Sequence, residues 1–412
     1  MQAPKGTFDV LPEEGTARRA LLARAAGLLE SAGYGYADTP VFEDTELFAR
    51  GVGEATDIVS KEMFSFEDQG GRSLTLRPEG TAGLCRAYVQ HGMHKLPQPV
   101  KLWYWGPFFR SEAPQAGRYR QFTQVGAEAI GSDDPSVDAE LIALLADLLA
   151  QSGSRDVRLR ISSLGSADTR HDYLEELRAF LRSREGELSG EVRGRIDLNP
   201  LRAFDAADPG TQEVMRHAPL LLDRLAPDDA EHFAEVRALL EDAGCGHEVD
   251  PGLVRGLDYY TRTVFEFSSD ALGAQSGLGG GGRYDRLVEE LGGPATPAVG
   301  WAAGIERILL AAADEGARPE GPWVFVARAP GVGGRAAFSL AQRLRAERVP
   351  VQMEQAGRSL KGQLKHADRV RARFAAIVGE EGIELKDLRT GDQRPVAGAI
   401  EIVEAVRQER PA

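Results

Sequence analysis

Two β-rich runs, residues 100–110 and 120–130, flank a polar loop that contains a glycine. No other feature constrains the fold so strongly. Runs this long and this close in sequence predict a pair of long antiparallel strands, and so a sheet with a broad face. Period-two geometry puts Phe122, Gln124, Gly126 and Glu128 on one side of the second run. A sheet face that meets a core is apolar by default. An aromatic, an amide and a carboxylate with a glycine gap among them read instead as a pocket floor, or as a face turned to solvent. Arg110, Arg118 and Arg120 bracket the loop, and their planar forks suit phosphate oxygens.

A second stretch, Arg255 to Phe267, gathers a permanent cation, the Asp258 carboxylate and the phenols Tyr259 and Tyr260 within a segment, Val254–Phe267, that reads as β-rich. Burying such groups unpaired is costly, so the stretch is either an exposed edge strand with a charged lead-in or part of a polar site. The segment Thr75–Ala82 predicts a strand that ends near Arg77 and a helix that Pro78 initiates, continuing to about Gln90. Glu79 and Thr81 then lie in its first turn, where a carboxylate pairs with the helix dipole or receives a substrate ammonium. The glycine run Gly277–Gly282 lacks a following Gly-Lys-Ser/Thr and is no Walker loop. Its glycines suit close backbone approach beside a ligand, ahead of a helix at about 284–291. A further helix is expected from about Gly300 to Ala313, and an inward-facing Arg307 on it would meet an anion.

At 412 residues the chain exceeds what one core usually serves. The predicted arrangement is a catalytic domain over 1–318, carrying an inserted helical subdomain at about 168–243, and an α/β domain over 319–412. The segment 314–322, rich in Gly, Pro and acidic residues, is the expected linker. No run approaches 18 apolar residues, and residues 1–10 lack an apolar signal core, so no membrane association is expected. Cys85 and Cys245 form no CxxC pair, and a reducing, cytoplasmic setting is expected. His91 and His94 near Cys85 match no zinc pattern, so no protein-held metal is expected. A Gly-x-Ser-x-Gly elbow and a Gly-x-Gly-x-x-Gly turn after a strand are also missing, which sets aside covalent-hydrolase and dinucleotide readings.

The net charge of −14 argues against a general nucleic-acid coat. Its distribution is uneven. From Pro322 onward there are 16 Lys/Arg against 11 Asp/Glu, a net of +5 that leaves −19 on the remainder. Six of those cations (Arg358, Lys361, Lys365, Arg369, Arg371, Arg373) fall between 358 and 373, opposed only by Asp368. The cluster is either a solvated helix face or a polyanion contact.

Taken together, the segments resemble class II aminoacyl-tRNA synthetases, and among these the histidyl-tRNA synthetase family. The similarity runs from Lys5-Gly6-Thr7 to Gly357-Arg358-Ser359-Leu360-Lys361. Gly106–Glu128 resembles the class's motif 2 and Gly300–Arg307 its motif 3. Arg255–Glu266 and Gly280–Asp285 resemble two signatures of the histidine enzymes. The resemblance implies an α+β catalytic domain with an antiparallel sheet and flanking helices, the helical insert, an α/β anticodon-binding domain, and a homodimer built partly around Pro40. It implies a histidine–tRNA ligase that takes ATP with Mg²⁺, L-histidine and histidine tRNA. It implies catalytic roles for Arg255, Arg110 and Arg307. Arg110 would hold the α-phosphate, Arg118 and Arg307 the β/γ end, and Phe122 would stack on adenine. Glu79, Thr81 and Gln124 would hold the histidine amine, while Glu128 and Tyr260, helped by Tyr284, would read the imidazole. Tyr259 would join the histidine-binding set, and Arg255 would sit against the histidine carboxylate and the α-phosphate. Arg358, Lys361, Lys365 and Arg369 would meet the tRNA.

The sequence departs from the usual bacterial pattern at Ala113 and Ala116, where arginine and lysine are common, and at Thr123, where histidine is common. Those positions bear on the acceptor end of tRNA rather than on histidine activation. A regulatory paralogue of the same fold is the main rival. Such paralogues tend to lose the Arg255–Tyr260 signature and the anticodon domain, and both are present here.

Overall fold

The computed structural model describes residues 1–53, 56, 58–255, 257–312 and 321–409. The chain separates into two compact units, Met1–Ala317 and Arg318–Ala412. Residues 314–320 of the expected linker, Ala313 at the end of an expected helix, and Gly256 in the Arg255–Phe267 stretch lie outside the described residues.

In the first unit, β1 (Gly35–Tyr36) is followed by a small antiparallel sheet of β2 (Phe42–Asp44), β3 (Phe64–Glu67) and β4 (Ser73–Leu76), in the order β2-β4-β3. The long strands β5 (Val100–Phe109) and β6 (Gln121–Ile130) pair antiparallel, with Tyr104 opposite Gly126 and Leu102 opposite Glu128. Then come β7 (Val157–Ser163), β8 (Glu248–Val249), β9 (Thr261–Ser269), β10 (Gly277–Arg283) and β11 (Ala298–Gly304). They complete an eight-stranded sheet in the order β1-β5-β6-β11-β10-β9-β7-β8, antiparallel except at its two short edge strands.

Alternation along β6 sorts the two faces of this sheet. Val125, Ala127 and Ala129 pack with Trp301, Ala303, Phe265 and Phe267 against the helices Pro12–Ser31 and Pro135–Gln151. Gln124, Gly126 and Glu128 face the other way, toward the helix Thr81–Gln90. Between β7 and β8 the chain is helical, with Ala167–Ser183, Gly190–Arg193, Pro209–Met215 and Pro227–Asp242. The last of these contributes Phe233, Val236 and Leu240 to the layer behind the sheet. The buried pair Arg283–Asp138, joined by His232, ties β10 to that layer.

Several local expectations are corrected. Residues 300–304 are a strand, and the helix that carries Arg307 begins only at Ile305. Small residues serve there because the strand runs between two close neighbours, and a Cβ on Gly300 would overlap the Glu128 carboxylate. The glycine run is the central strand β10, where a Cβ on Gly279 would stand 2.6 Å from that of Ala303. The helix that follows is a short turn, Leu287–Glu290. The helix after β4 starts at Thr81 rather than at Pro78. Its first N–H groups are satisfied by Glu79, which lies outside the helix as a cap does. Residues 257–260 are a loop, and the strand waits until Thr261. Arg170 donates to the carbonyls of Tyr260 (2.7 Å) and Asp258 (3.2 Å), which supplies this backbone without a ladder.

The second unit has a five-stranded mixed sheet. Its strands are β12 (Val324–Arg328), β13 (Val351–Met353), β14 (Phe374–Val378), β15 (Ile383–Asp387) and β16 (Gln393–Val396), in the order β13-β12-β14-β15-β16. Parallel pairing of β12 with β13 and β14 follows from the helical crossovers Gly334–Ala346 and Leu360–Arg369.

Candidate active site

A cleft opens over the polar face of the large sheet. Its walls include Glu79, Thr81, Arg110, Arg118, Phe122, Gln124, Arg255, Tyr259, Tyr260, Tyr284 and Arg307. Eleven of the twelve residues expected at the catalytic site thus converge, although they span more than two hundred positions. The twelfth, Glu128, is fully buried beneath the cleft and reaches it through bonds to two of the others.

At the inner end, Glu128 accepts from Thr81 Oγ1 (2.7 Å) and from Tyr284 Oη (2.5 Å). Burial pushes its carboxyl up to about 8, against the opposing pull of those two hydrogen bonds. Gly300 on the adjacent strand leaves the room that this carboxylate needs. The rings of Tyr259 and Tyr260 lie 4.8 Å apart, and Tyr259 meets Tyr284 edge-on at 5.6 Å. A buried carboxyl bonded to a phenol and a hydroxyl in this way can exchange a proton with a small aromatic base. Glu79 accepts from the N–H groups of Thr81 (2.7 Å) and Ala82 (2.9 Å), while burial raises its carboxyl. Gln124 presents a buried carbonyl oxygen with no partner among the described residues.

At the outer end, three guanidinium groups gather. Arg110 lies 5.4 Å from the Phe122 ring and is anchored through the Pro78 carbonyl. Arg118 pairs with Glu112 at 2.9 Å. Arg307 donates to the carbonyls of Gly117 (3.0 Å) and Gly277. Burial holds Arg307 below its ordinary range, and repulsion from Arg118 and Arg110 adds to that effect. Cations crowded against one another in this way are stabilised by an anion between them. Arg255 also lines the cleft, bonded to Glu266 at 2.6 Å, with its Nε buried and, among the described residues, unpartnered. Glu266 is held in turn by Arg160 at 2.8 Å. Asn199 in the helical segment donates to Asp258 at 3.0 Å, so that segment grips the loop 257–260 from one side.

Sequence reasoning gave no role to Glu112, Glu266 or Glu306. The alternation Arg110-x-Glu112 is a local signal for the first of these. Glu266 has Arg255 eleven positions away but Arg160 only through the fold, and Glu306 acquires all its partners through the fold. Glu306 accepts from the Thr123 N–H (3.0 and 3.1 Å) and from Arg18 (2.9 Å). Thr123, one of the departures, also takes a bond from Arg18 at 2.9 Å, so its hydroxyl is engaged within the protein.

A mostly antiparallel sheet with a motif 2 hairpin at its heart, an arginine-bearing helix directly after a neighbouring strand, and three cations over the exposed face define a class II aminoacyl-tRNA synthetase catalytic domain. A family model described as histidyl-tRNA synthetase matches residues 6–308, and an anticodon binding domain model matches residues 332–409. A histidine–tRNA ligase of Rubrobacter xylanophilus is 48% identical, with 96% of each chain covered. One from Desulforamulus reducens is 46% identical, again with 96% of each covered. The crystal structure of apo histidyl-tRNA synthetase from S. aureus superposes with a TM-score of 0.82 at 34% identity, over 99% of this chain and 100% of that one. This chain belongs to the histidyl-tRNA synthetase family, and as an enzyme it is an aminoacyl-tRNA synthetase.

Proposed function

We propose that this protein activates L-histidine with ATP, forming histidyl-adenylate and pyrophosphate, and then transfers histidine to the 3′ end of histidine tRNA. The observation that carries the reading is the union in one cleft of an arginine cluster with three tyrosines, one of them bonded to a carboxyl buried beneath. The first suits a polyphosphate and the second an imidazole.

Activation is an in-line attack of the histidine carboxylate on the α-phosphorus. A bond forms from carboxylate oxygen to phosphorus, the bond to the bridging oxygen breaks, and pyrophosphate carries away the electron pair. Two anions meet, so the protein's work is positioning and charge stabilisation. Arg255 and Arg110 hold the α-phosphate oxygens, Arg255 also meets the histidine carboxylate, and Phe122 stacks on adenine. Arg118 and Arg307 hold the β/γ end of ATP. Mg²⁺ brought in with ATP would supply neutralisation of phosphate charge. Of the carboxylates that line the cleft, Glu112 and Glu266 would supply oxygen donors to that hard cation, since Glu306 is held by the Thr123 N–H and Arg18. Glu79, Thr81 and Gln124 bind the amine, and Tyr259 completes the wall beside the reading pair of Glu128 and Tyr260, with Tyr284 fixing Glu128. Imidazole has one donor and one acceptor nitrogen, and a competitor that lacks them leaves buried polar groups unpaired. Charging of unfractionated tRNA with labelled histidine tests the whole reaction. Charging with a different amino acid, or none, overturns it.

The anticodon arm is proposed to meet the helix Leu360–Arg369. Lys361, Lys365 and Arg369 recur there every four residues and are exposed, with exposed Arg358 just before them. Arg373 leaves this set, because Asp387 and Glu409 both pair with it. The combined Lys361→Ala, Lys365→Ala and Arg369→Ala variant is expected to raise the tRNA KM about tenfold or more and to flatten the salt dependence of tRNA binding by about two units of log–log slope. Pyrophosphate exchange should not change. An unaltered salt slope would remove the helix from the interface.

A homodimer is part of the proposal. Tyr36, Val41, Phe42 and Phe66 are large apolar side chains left exposed around Pro40, with Phe42 and Phe66 edge to face at 6.3 Å. Together they are the kind of apolar grouping that oligomers cover. Sedimentation is expected to give twice the chain mass, and a monomer at micromolar concentration would contradict it. A cytoplasmic location completes the reading. Both cysteines are free, and among the described residues no helix is long and apolar enough to cross a membrane.

A further inference from the structure

Tyr104 is a buried phenol to which the reading above gives no task. It sits on β5 opposite Gly126, and the tip of its ring fills a slot that two glycines leave open. A Cβ on Gly80 would stand 2.5 Å from its Cζ and 2.8 Å from its hydroxyl, and a Cβ on Gly126 would overlap the ring. One glycine belongs to the sheet. The other belongs to the turn between Glu79 and Thr81. The side chain is only 5% exposed, yet among the described residues its hydroxyl has no hydrogen-bond partner. A phenylalanine would fill the same slot without burying an unsatisfied polar atom, so the hydroxyl calls for an explanation in terms of something it binds.

The neighbouring groups indicate what that is. On the same face, two residues along β6 from Gly126, Gln124 Oε1 is also buried and unpartnered. Glu79 adjoins Gly80, and its two oxygens each take one backbone N–H, which leaves further lone pairs on both. Thr81 gives its hydroxyl proton to Glu128. A primary ammonium carries three N–H donors in a tetrahedral fan and needs several acceptors at once. The turn at Gly80 and the middle of β6 bring together a carboxylate, an amide oxygen and a phenol oxygen, two of them with nothing bound. Burial and the nearby Glu128 and Glu79 carboxyls push the Tyr104 phenol up, which keeps it neutral and able to accept.

We propose that the Tyr104 hydroxyl is a further acceptor for the α-ammonium of histidine, alongside Glu79 and Gln124. The proposal rests on the assignment of Glu79, Thr81 and Gln124 to the amine. It makes Tyr104 a determinant of selection for a free amino acid over an acid that bears only the ring.

The test compares histidine with 3-(imidazol-4-yl)propionate, which keeps the ring and the carboxylate and lacks the amine. Binding of each to the full chain is measured by calorimetry for the parent protein and for Tyr104→Phe, which keeps the ring in its slot. Histidine affinity is expected to fall about 10- to 100-fold, the range for a hydrogen bond to a charged group. Affinity for the amine-free acid and the KM for ATP should change by less than about twofold. An equal loss for both ligands would assign the hydroxyl to the imidazole or to packing, and no loss for either would leave it without a ligand role. Both results overturn the proposal. Gln124→Ala and Glu79→Gln measured alongside separate the two levels. If they weaken histidine selectively and Tyr104→Phe does not, only Tyr104 falls. If neither is amine-selective, the amine site itself is misassigned.

Discussion

Replacing Arg255 with alanine is expected to lower histidine-dependent pyrophosphate exchange by about 10²- to 10³-fold, the loss that follows removal of one preorganised group from developing charge. The change should fall in kcat more than in either KM, because the proposed role sets the guanidinium against the α-phosphate and the carboxylate at the moment they meet. Its position supports this. Glu266 holds it at 2.6 Å, and Glu266 is held in turn by Arg160, which is itself paired with Asp250. The cation is thus fixed before substrate arrives. Glu266 keeps Arg160 when Arg255 is lost, so the thermal midpoint should move little. Single-turnover formation of the adenylate checks the rate, and a variant within about tenfold of the parent would remove Arg255 from the chemistry.

The second large effect concerns Glu128. Replacing it with alanine leaves the Thr81 hydroxyl and the Tyr284 phenol without their shared acceptor, and kcat/KM for histidine is expected to fall between about 10²- and 10⁴-fold. The pH dependence is more specific. Burial raises this carboxyl to about 8 in the free protein, while free imidazole titrates near about 6.5. Between those values the free carboxyl is protonated and the free imidazole neutral, so the complex holds one shared proton and binding moves none. Below that interval a proton must leave the pair, and above it one must be taken up. Histidine KM is therefore expected to be lowest from about pH 6.5 to about 8 and to rise on both sides.

The same shift has a sign for stability. A carboxyl whose folded value is raised contributes fully below its unfolded value, and that contribution is lost as pH rises through about 8. The free protein should thus lose stability toward alkaline pH from this group, and less so in Glu128→Gln. The same substitution should abolish the upper limb of the KM profile. An upper limb that persists in Glu128→Gln would belong to the substrate's own amine and would contradict the role given to Glu128.

The site was more legible in the sequence than the elements that carry it. Phe122, Gln124 and Glu128 share a face because a strand alternates, and that follows from spacing alone. Gly300–Gly304 resisted the same reasoning. Small residues suit a tightly packed helix as well as a crowded strand, and what decides is the Glu128 carboxylate, which arrives from a neighbouring strand. Residues 257–260 look β-rich by composition but form a loop, because Arg170 from the helical segment satisfies their carbonyls. Glu306 had no local signal, since its partners Arg18 and Thr123 are 288 and 183 positions away, and Glu266 has Arg255 eleven positions off but takes its second arginine, Arg160, from 106 positions away. The expected basic cluster kept Lys361, Lys365 and Arg369 exposed and lost Arg373 to two carboxylates, one of them on the last helix.

On the proposed reading, one cleft both selects histidine and activates it. Amino-acid-dependent exchange of labelled pyrophosphate into ATP, measured with each of the twenty amino acids and no tRNA, tests that claim most directly. Exchange with histidine alone, falling sharply in Arg255→Ala, is the predicted result. Exchange with another amino acid would contradict the role of Glu128 and the tyrosines, and no exchange with any would contradict activation in this cleft.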